Sequence, residues 1–309
     1  MSRKRKNFEA LADKLRREIS GAVEEKVLMK RYTTFRIGGI CELMVFPNNR
    51  KELAFVIEEC ENQGFPWRIL GRGSNLLVKD GGLEEVVINL QKGFNQIEQI
   101  DDERVKADAG VRLSHLVKFC QELGLSGLEF CVGIPGTVGG AIRMNAGAEG
   151  DEIFQHLLQV EFYRPPEGNY FKKSKELNFN YRHLQLKPKE VILSAEFQLS
   201  PDNPREIRER IVNYLKKRRR SQPVAYPSAG SIFKNPPGDY AGRIIEELGL
   251  KGFRVGDAQV SELHANFIVN RGRAKASQVL ELIRLIQEKA RKEKGIQLEL
   301  EIEVVGKER

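Results

Sequence analysis

The stretch Gly133–Ala148, GIPGTVGGAIRMNAGA, is the part of the sequence that most restricts the fold. Eight of the chain's 28 glycines lie between Gly124 and Gly150. Because glycine adopts backbone conformations that other residues avoid, this density predicts a chain that turns sharply or approaches a ligand closely. An earlier glycine loop, GRGSN at Gly71–Asn75, follows a short apolar run that we predict to be a strand. In chain order, Gly71–Asn75 is the first glycine loop and Gly133–Ala148 is the second.

Neither loop is a standard nucleotide motif. The first lacks the third glycine and the following helix of the dinucleotide fingerprint, and the second lacks the Lys-Ser/Thr ending of a P-loop. Both can still present successive backbone N–H groups to a pyrophosphate, and Ser74, Asn75, Thr137 and Asn145 add side-chain donors. Two tight structural turns are the alternative interpretation.

Composition indicates a globular chain. The 309 residues are 40% hydrophobic and 30% charged, enough for two or three domains. No apolar run approaches the ~20 residues that span a bilayer, and no apolar segment of a secretory signal follows the basic start MSRKRK. The net charge of +8 favours anionic partners, either phosphorylated small molecules or nucleic acid. Four scattered cysteines and four scattered histidines predict no metal site, reduced thiols and a cytoplasmic protein.

Hydrophobic periodicity predicts an N-terminal helix and five further helices, at 51–63, 113–123, 207–220, 240–248 and 278–292. We expect Gly64 to end the first of these five, and Ser277 and Gly295 to cap the last one. Short strands are expected at 41–46, 67–70, 85–90, 159–163, 191–199 and 265–269. The alternation of apolar and polar residues from 295 to 305 predicts one half-buried strand.

Six motifs then occur in order. They are TTFRIGG (Thr33–Gly39), LGRGSNLLV (Leu70–Val78), GIPGTVGGAIRMNAGA, NYRHL (Asn180–Leu184), PSAGSIFKNP (Pro227–Pro236) and VSELHANFIVN (Val260–Asn270). Together they resemble the UDP-N-acetylmuramate dehydrogenases, also called UDP-N-acetylenolpyruvoylglucosamine reductases, over roughly residues 27 to 306. The resemblance implies FAD as cofactor, NADPH as reductant and UDP-N-acetylglucosamine enolpyruvate as substrate, for peptidoglycan synthesis. A monomer without nucleic-acid or membrane partners is expected.

The resemblance implies an α+β fold in which a FAD-binding part of the vanillyl-alcohol-oxidase type precedes an α/β substrate-binding domain. The expected division is an N-terminal helix at 1–26, FAD-binding subdomains at 27–92 and 93–203, the substrate-binding domain at 204–297 and a last strand at 298–309. Ser221 stands where some members carry a lysine for the substrate diphosphate, and the chain is similar to the shorter subclass of the family.

The motif matches imply three groups of site residues. Arg182, Ser231 and Glu301 are expected to act at the reduced carbon. The residues expected around FAD are Thr34, Arg36, Gly38, Gly71, Arg72, Gly73, Ser74, Asn75, Leu76, Gly133, Ile134, Pro135, Gly136, Thr137, Gly139, Gly140, Ala141, Asn145, Gly147 and Arg218. Lys234, Asn235, Arg243 and His264 are expected on the substrate side.

The reaction explains why these residue types are needed. Hydride delivery to the methylene carbon of the enolpyruvyl group leaves negative charge on the neighbouring carbon and its carboxylate, which suits the arginine fork of Arg182. That carbon must then receive a proton from one face, the role expected of Ser231, with Glu301 as a second acid or charge partner.

Each assignment has a structural alternative. Arg182 alone would be a surface cation, Ser231 a turn hydroxyl, and His264 a structural histidine. By alternation, Glu299, Glu301 and Glu303 share one face, and only the family spacing selects Glu301. For the whole protein, a FAD oxidase of the same fold and a basic nucleotide- or RNA-binding protein remain the competing interpretations.

Overall fold

The computed structural model describes residues 3–308, with side chains from residue 8 onward. Residues 1, 2 and 309 of the two predicted terminal segments therefore lie outside the described part. The helices are α1 (Arg3–Glu18), α2 (Arg50–Gln63), α3 (Leu113–Glu122), α4 (Val138–Arg143), α5 (Pro204–Ser221), α6 (Ala241–Glu247) and α7 (Ala276–Lys294).

The strands are mostly short. They are β1 (Ala22–Leu28), β2 (Ile40–Phe46), β3 (Trp67–Leu70), β4 (Leu76–Val78), β5 (Leu83–Asn89), β6 (Ile97–Gln99), β7 (Arg104–Asp108), β8 (Leu125–Ser126), β9 (Gly147–Ala148), β10 (Asp151–Glu152), β11 (Leu157–Arg164), β12 (Gly168–Lys173), β13 (Phe179–Asn180), β14 (His183–Leu184), β15 (Val191–Gln198), β16 (Ser200–Pro201), β17 (Arg254–Val255), β18 (Ala258–Val260), β19 (Ile268–Asn270) and β20 (Glu303–Val305).

The chain divides into two compact units. The first comprises residues 1–26, 42–72 and 85–216, and the second comprises residues 27–41, 73–84 and 217–309. Each unit has its own hydrophobic core. The division predicted from the sequence stays a prediction, since the compact units cut the chain at other places.

The first unit is built on two sheets. One has the strand order β1-β2-β5-β3 and the other β12-β11-β15-β7-β6. β3 and β5 run parallel, with Leu70 opposite Asn89, whereas neighbouring strands of the second sheet run antiparallel. The apolar stripe of α1, with Leu11 and Leu15 fully buried, joins this core and confirms the predicted amphipathic helix.

The second unit surrounds a smaller core. Antiparallel strands β17-β18-β19 pack with α6 and α7, whose apolar faces are buried. Strand β20 pairs in parallel with β4, so that Glu303 lies opposite Leu76 and Val305 opposite Val78. The last strand thus returns to a segment more than two hundred residues earlier in the chain.

Several local predictions hold. Gly64 ends α2 and Gly295 ends α7, each in the left-handed conformation that glycine favours, with φ of 71° and 68°. The four cysteines are free, and all four are buried.

Among residues 3–308, the His, Cys, Asp and Glu side chains form no group suited to a metal ion. None of the helices in this range has the length and hydropathy of a membrane span.

Other predictions were wrong. Ser277 is not the N-cap of α7, because Lys275 takes that position and the carboxylate of Asp80 accepts the N–H groups of Ala276 and Ser277 at 2.9 and 3.0 Å. A distant residue thus supplies the cap. The predicted strand 265–269 is reduced to β19.

The C-terminal strand is also shorter than predicted. Only β20 forms, and Leu300 makes an isolated bridge to Phe233 because this part of the segment pairs with the PSAGSIFKNP motif instead. At the other end, the N-terminal segment 1–26 is not helical throughout. Helix α1 ends at Glu18 and strand β1 begins at Ala22. Gly21, between them, lies so close to the Phe46 carbonyl that an added Cβ would be 2.1 Å from the oxygen, so this turn requires glycine.

An ion-pair network ties α2 to the five-stranded sheet. Arg50 donates to both carboxylate oxygens of Glu161, at 2.9 and 2.6 Å, and to Asp108 at 3.2 Å, while Ser194 Oγ donates to Glu161 at 2.7 Å. Burial raises the pKa of Glu161, but the hydrogen bonds from Arg50 and Ser194 lower it by more than burial raises it. The pKa therefore lies below its ordinary value of 4.5.

We expect Arg50→Met to lower the free energy of unfolding by about 2 kcal/mol at pH 7, because it leaves two buried carboxylates without their cation. A carboxyl group whose pKa is lower in the folded than in the unfolded protein stabilises the folded state at pH values above its ordinary pKa. This stabilisation is lost as the pH falls through the pKa of the folded state. The deficit should therefore shrink on acidification below the ordinary glutamate value of 4.5. Urea unfolding at several pH values measures it, with Arg284→Met on the exposed face of α7 as control; a pH-independent deficit would contradict this explanation.

Candidate active site

The two predicted glycine loops meet in the first unit. Gly71 follows β3, and Thr137 is the N-cap of α4, where its Oγ1 accepts the N–H of Gly140 at 3.4 Å. A Cβ added at Gly71 would lie 2.4 Å from Thr137 Oγ1. Only glycine fits at position 71 this close to Thr137, so the second loop restricts which residue the first loop can carry there.

Asn89 is a candidate site residue that the sequence did not reveal. Asn89 is the last residue of β5. Gln91 links it to the loop at Gly71: the Gln91 N–H donates to Asn89 Oδ1 at 3.0 Å, and Gln91 Nε2 donates to the Gly71 carbonyl at 3.0 Å. Asn89 Nδ2 is buried and has no acceptor among the residues described here. A buried donor without an acceptor is costly, which points to a ligand oxygen. The available signal was its position at the carboxyl end of a parallel strand, where α/β folds bind ligands.

Arg182 is held by the second glycine loop. It lies in the turn of the β13-β14 hairpin with a φ of 56°, and its guanidinium donates to the carbonyls of Asn145 at 3.4 Å and Gly147 at 3.0 Å. Its Nη1 lies 3.9 Å from Glu152 Oε1, and the side chain is only 19% exposed. Arg182 is therefore an oriented cation rather than the solvated surface arginine of the structural alternative.

In the second unit, the TTFRIGG motif contacts three other motifs. The N–H of Thr34 donates to the Gly73 carbonyl at 3.3 Å, and its hydroxyl donates to the Ser228 carbonyl at 2.8 Å. Asn270, the last residue of VSELHANFIVN, donates to the Phe35 carbonyl at 3.1 Å. Segments far apart in the sequence are thus fixed together by backbone-directed hydrogen bonds.

Ser231 and Glu301 lie on neighbouring segments of the second unit that are joined by backbone hydrogen bonds. Ser231 forms a bridge with Phe267, and the next residue, Ile232, donates its N–H to the Asn266 carbonyl at 2.8 Å. On the other side, the N–H of Glu301 donates to the Ile232 carbonyl at 2.8 Å. Ser231 Oγ makes no hydrogen bond within the described part of the chain. It is therefore not the self-bonded turn hydroxyl of the structural alternative.

The first glycine loop holds the segment that carries Glu301. Asn75 Nδ2 donates to the Glu301 carbonyl at 3.0 Å, and the Asn75 carbonyl accepts the N–H of Glu303 at 2.9 Å. The backbone of the last segment is thus clamped on both sides of Ile302.

The three glutamates of this segment differ in their surroundings. The Glu299 side chain is 74% exposed and lies 3.5 Å from Lys234 Nζ. Glu303 is also exposed, whereas Glu301 is partly buried. The structure therefore separates Glu301 from its neighbours, which the alternation pattern alone did not.

Arg218, near the end of α5, is partly buried in the second unit. Its guanidinium has no hydrogen bond or ion pair with any described side chain, and burial lowers its pKa. A desolvated arginine without a carboxylate partner is a candidate for binding an anionic group.

The residues expected on the substrate side have structural partners. Asn235 Oδ1 accepts the N–H of Ala241 at 3.1 Å and so caps α6. Arg243 pairs with Asp239 and Glu247 and remains 58% exposed. His264 Nδ1 accepts the N–H of Asn266 at 3.3 Å, its ring contacts Phe267, and burial lowers its pKa. For these three the assignment to substrate stays a prediction.

Gly71→Ala tests the meeting of the two loops. The added methyl must displace the buried Thr137 side chain, so we expect FAD affinity to fall at least about tenfold with little change in helix content. Fluorescence titration of the apoprotein with FAD measures this. The double variant with Thr137→Ala should recover part of the affinity, because it removes the clashing oxygen; unchanged FAD affinity in Gly71→Ala would place the contact away from the cofactor.

Two protein families match this chain. Residues 41–173 match the FAD binding domain, and residues 222–305 match the C-terminal domain of UDP-N-acetylenolpyruvoylglucosamine reductase. The two matches confirm an FAD-binding part that is followed by a separate C-terminal reductase domain.

Whole-length relatives agree. The UDP-N-acetylenolpyruvoylglucosamine reductase of Moorella thermoacetica is 43% identical over 297 residues, 96% of this chain and 98% of that protein. The one from Geotalea uraniireducens is 44% identical over 280 residues, 90% of this chain and 92% of that protein. A crystal structure of UDP-N-acetylenolpyruvylglucosamine reductase from Thermus caldophilus superimposes with a TM-score of 0.81 at 41% identity, covering 93% of this chain and 100% of that one. The chain therefore belongs to the UDP-N-acetylenolpyruvoylglucosamine reductase family.

Proposed function

We propose that the protein is a FAD-containing, NADPH-dependent reductase that converts UDP-N-acetylglucosamine enolpyruvate to UDP-N-acetylmuramic acid for peptidoglycan synthesis. The observation that carries this proposal is the backbone pairing of the Ser231 and Glu301 segments, with the Glu301 N–H 2.8 Å from the Ile232 carbonyl. The partly buried Glu301 and the unbonded Ser231 hydroxyl both suit a proton donor site. A role in cell-wall biogenesis, cell shape, cell division and the cell cycle, a cytoplasmic location and a monomeric state complete the proposal.

The residues around the two loops fit FAD. The Gly71 backbone, the N-terminus of α4 after Thr137 and the unpartnered Nδ2 of Asn89 would supply donors to its pyrophosphate. Arg218 would supply a cation, since no described carboxylate neutralises it. When bound, FAD would supply the hydride-transfer chemistry between NADPH and the methylene carbon of the substrate.

The chain's own residues manage charge and protons. The guanidinium of Arg182, oriented by the carbonyls of Asn145 and Gly147, stabilises the negative charge that develops on the substrate carboxylate and adjacent carbon. Ser231 Oγ gives its proton to that carbon. Glu301 supports this transfer as a second acid or charge partner. Lys234 and Asn235, which follow Ser231 in the PSAGSIFKNP motif, would bind the remainder of the substrate.

Product analysis tests the proposal. The purified protein is incubated with FAD, NADPH and UDP-N-acetylglucosamine enolpyruvate, and the nucleotide sugar is examined by mass spectrometry. The expected product is heavier than the substrate by two hydrogen atoms. An unchanged nucleotide sugar with FAD bound would argue for the oxidase alternative, and a protein that never retains FAD would overturn the assignment of both loops.

A further inference from the structure

A cavity of about 400 Å³ lies within the second unit, outside the residues assigned above. It is formed by the turn that follows α5 and by the residues around the β18-β19 hairpin. The residues that matter for its chemistry are Arg219, Gln222, Tyr226, Ser261, Leu263 and Arg271.

Two arginines give this cavity a positive charge. Arg219 and Arg271 are exposed, and neither forms an ion pair with a carboxylate among the described residues. The one acidic lining residue, Glu262, lies 3.4 Å from Gln259 Nε2 instead. Two unpaired guanidinium groups on one cavity attract an anion with several oxygens.

The guanidinium of Arg271 is already positioned. It stacks over the ring of Tyr226, with its carbon atom 4.3 Å from the ring centroid. The turn before Tyr226 is closed by hydrogen bonds from the Tyr226 N–H to the Pro223 carbonyl at 3.1 Å and from the Val224 N–H to the Gln222 carbonyl at 2.8 Å. Because stacking covers a face of the guanidinium, its N–H groups point outward in the plane of the fork, the geometry that binds phosphate.

The walls also contain polar atoms without partners. Gln222 Oε1 is buried and has no donor within the described chain. Ser261, only 4% exposed, accepts the N–H groups of Leu263 and His264 at 3.2 Å each, and no described atom accepts its hydroxyl proton. A ligand oxygen or ring nitrogen would accept the Ser261 proton, whereas Gln222 Oε1 needs a hydroxyl or amino donor, which a fully ionised phosphate lacks.

We propose that this cavity binds the phosphomonoester of a phosphorylated nucleoside, and that in turnover this group is the 2′-phosphate of NADPH. The inference rests on the proposed function, because NADPH is the reductant there. None of the residues assigned to the UDP-sugar, Lys234, Asn235, Arg243 and His264, lines the cavity. A phosphomonoester carries up to two negative charges and presents three oxygens to two arginine forks, and it is the feature that separates NADPH from NADH.

The test compares NADPH with NADH in the flavin half-reaction of the holoenzyme. Arg219→Gln and Arg271→Gln are each expected to raise the Kd of NADPH for flavin reduction about tenfold or more, without changing that of NADH. Arg273→Gln, an exposed arginine outside the cavity, is the matched control and should change neither. Arg271→Lys keeps the charge but loses the fork and should give an intermediate loss.

Direct binding keeps the test independent of catalysis. In calorimetry on the same holoproteins, 2′,5′-ADP should bind the wild type and lose at least about tenfold affinity in the two variants, while UDP binding stays unchanged. This holds even if the protein fails to reduce UDP-N-acetylglucosamine enolpyruvate, so the two proposals can fail separately. Equal losses for NADPH and NADH, no loss for either, or a loss for UDP in place of 2′,5′-ADP would overturn the assignment.

Discussion

Replacing Ser231 by alanine is expected to leave FAD bound and reducible by NADPH, while turnover of the enolpyruvyl substrate falls by about 10²–10⁴-fold. The bound cofactor should be unaffected, because the segment of Ser231 is fixed by its backbone, through the bridge to Phe267 and the Ile232 hydrogen bond to Asn266. The hydroxyl itself bonds no described residue, so its removal leaves no buried group unsatisfied.

Two measurements separate the steps in this variant. Anaerobic flavin reduction by NADPH should proceed at the wild-type rate, and reoxidation of the reduced flavin by UDP-N-acetylglucosamine enolpyruvate should be slow. Ser228→Ala, in the same bend, is the control, because Ser228 contacts Thr34 through its carbonyl and not through its hydroxyl. Near-normal reoxidation in Ser231→Ala would mean that another group delivers the proton.

Glu301→Gln is expected to lower turnover by about 10²-fold or more, whereas Glu299→Gln should change it less than about twofold. Glu299 is 74% exposed and contacts the Lys234 ammonium at 3.5 Å, so removing its charge should change the turnover rate little. Glu301 is partly buried, and its backbone is fixed by Ile232 and Asn75 on either side.

The pair of variants is matched in chemistry and lies on one segment. Steady-state rates at saturating NADPH and substrate measure the contrast, with Glu303→Gln as a second exposed control. Equal losses at residues 299 and 301 would show that burial and family spacing have selected nothing.

Local signals predicted the parts of the fold that depend on local physics. Gly64 and Gly295 were predicted to end α2 and α7, and in the structure they do. A left-handed C-cap favours glycine regardless of its tertiary surroundings, so the local sequence is enough to predict it. The N-terminus of α7 was predicted wrongly, because its cap comes from Asp80. No window of sequence around Ser277 contains that information.

The site residues likewise divide into features that the sequence predicts and features that only tertiary contacts reveal. Motif spacing named Arg182, Ser231 and Glu301, but only tertiary structure shows that carbonyls of the second glycine loop orient Arg182 and that Glu301 is less exposed than Glu299. Asn89 was missed because an asparagine at the end of an apolar run has no periodic signal. Its unpartnered Nδ2 appears only when the strands are assembled.

The most direct test of the central claim is NADPH oxidation by the purified protein with added FAD, under anaerobic conditions, with and without UDP-N-acetylglucosamine enolpyruvate. We predict sustained oxidation only in the presence of the enolpyruvyl substrate, with one NADPH consumed for each molecule of UDP-N-acetylmuramic acid formed. A protein that binds FAD but oxidises NADPH at the same rate with and without that substrate would contradict the account.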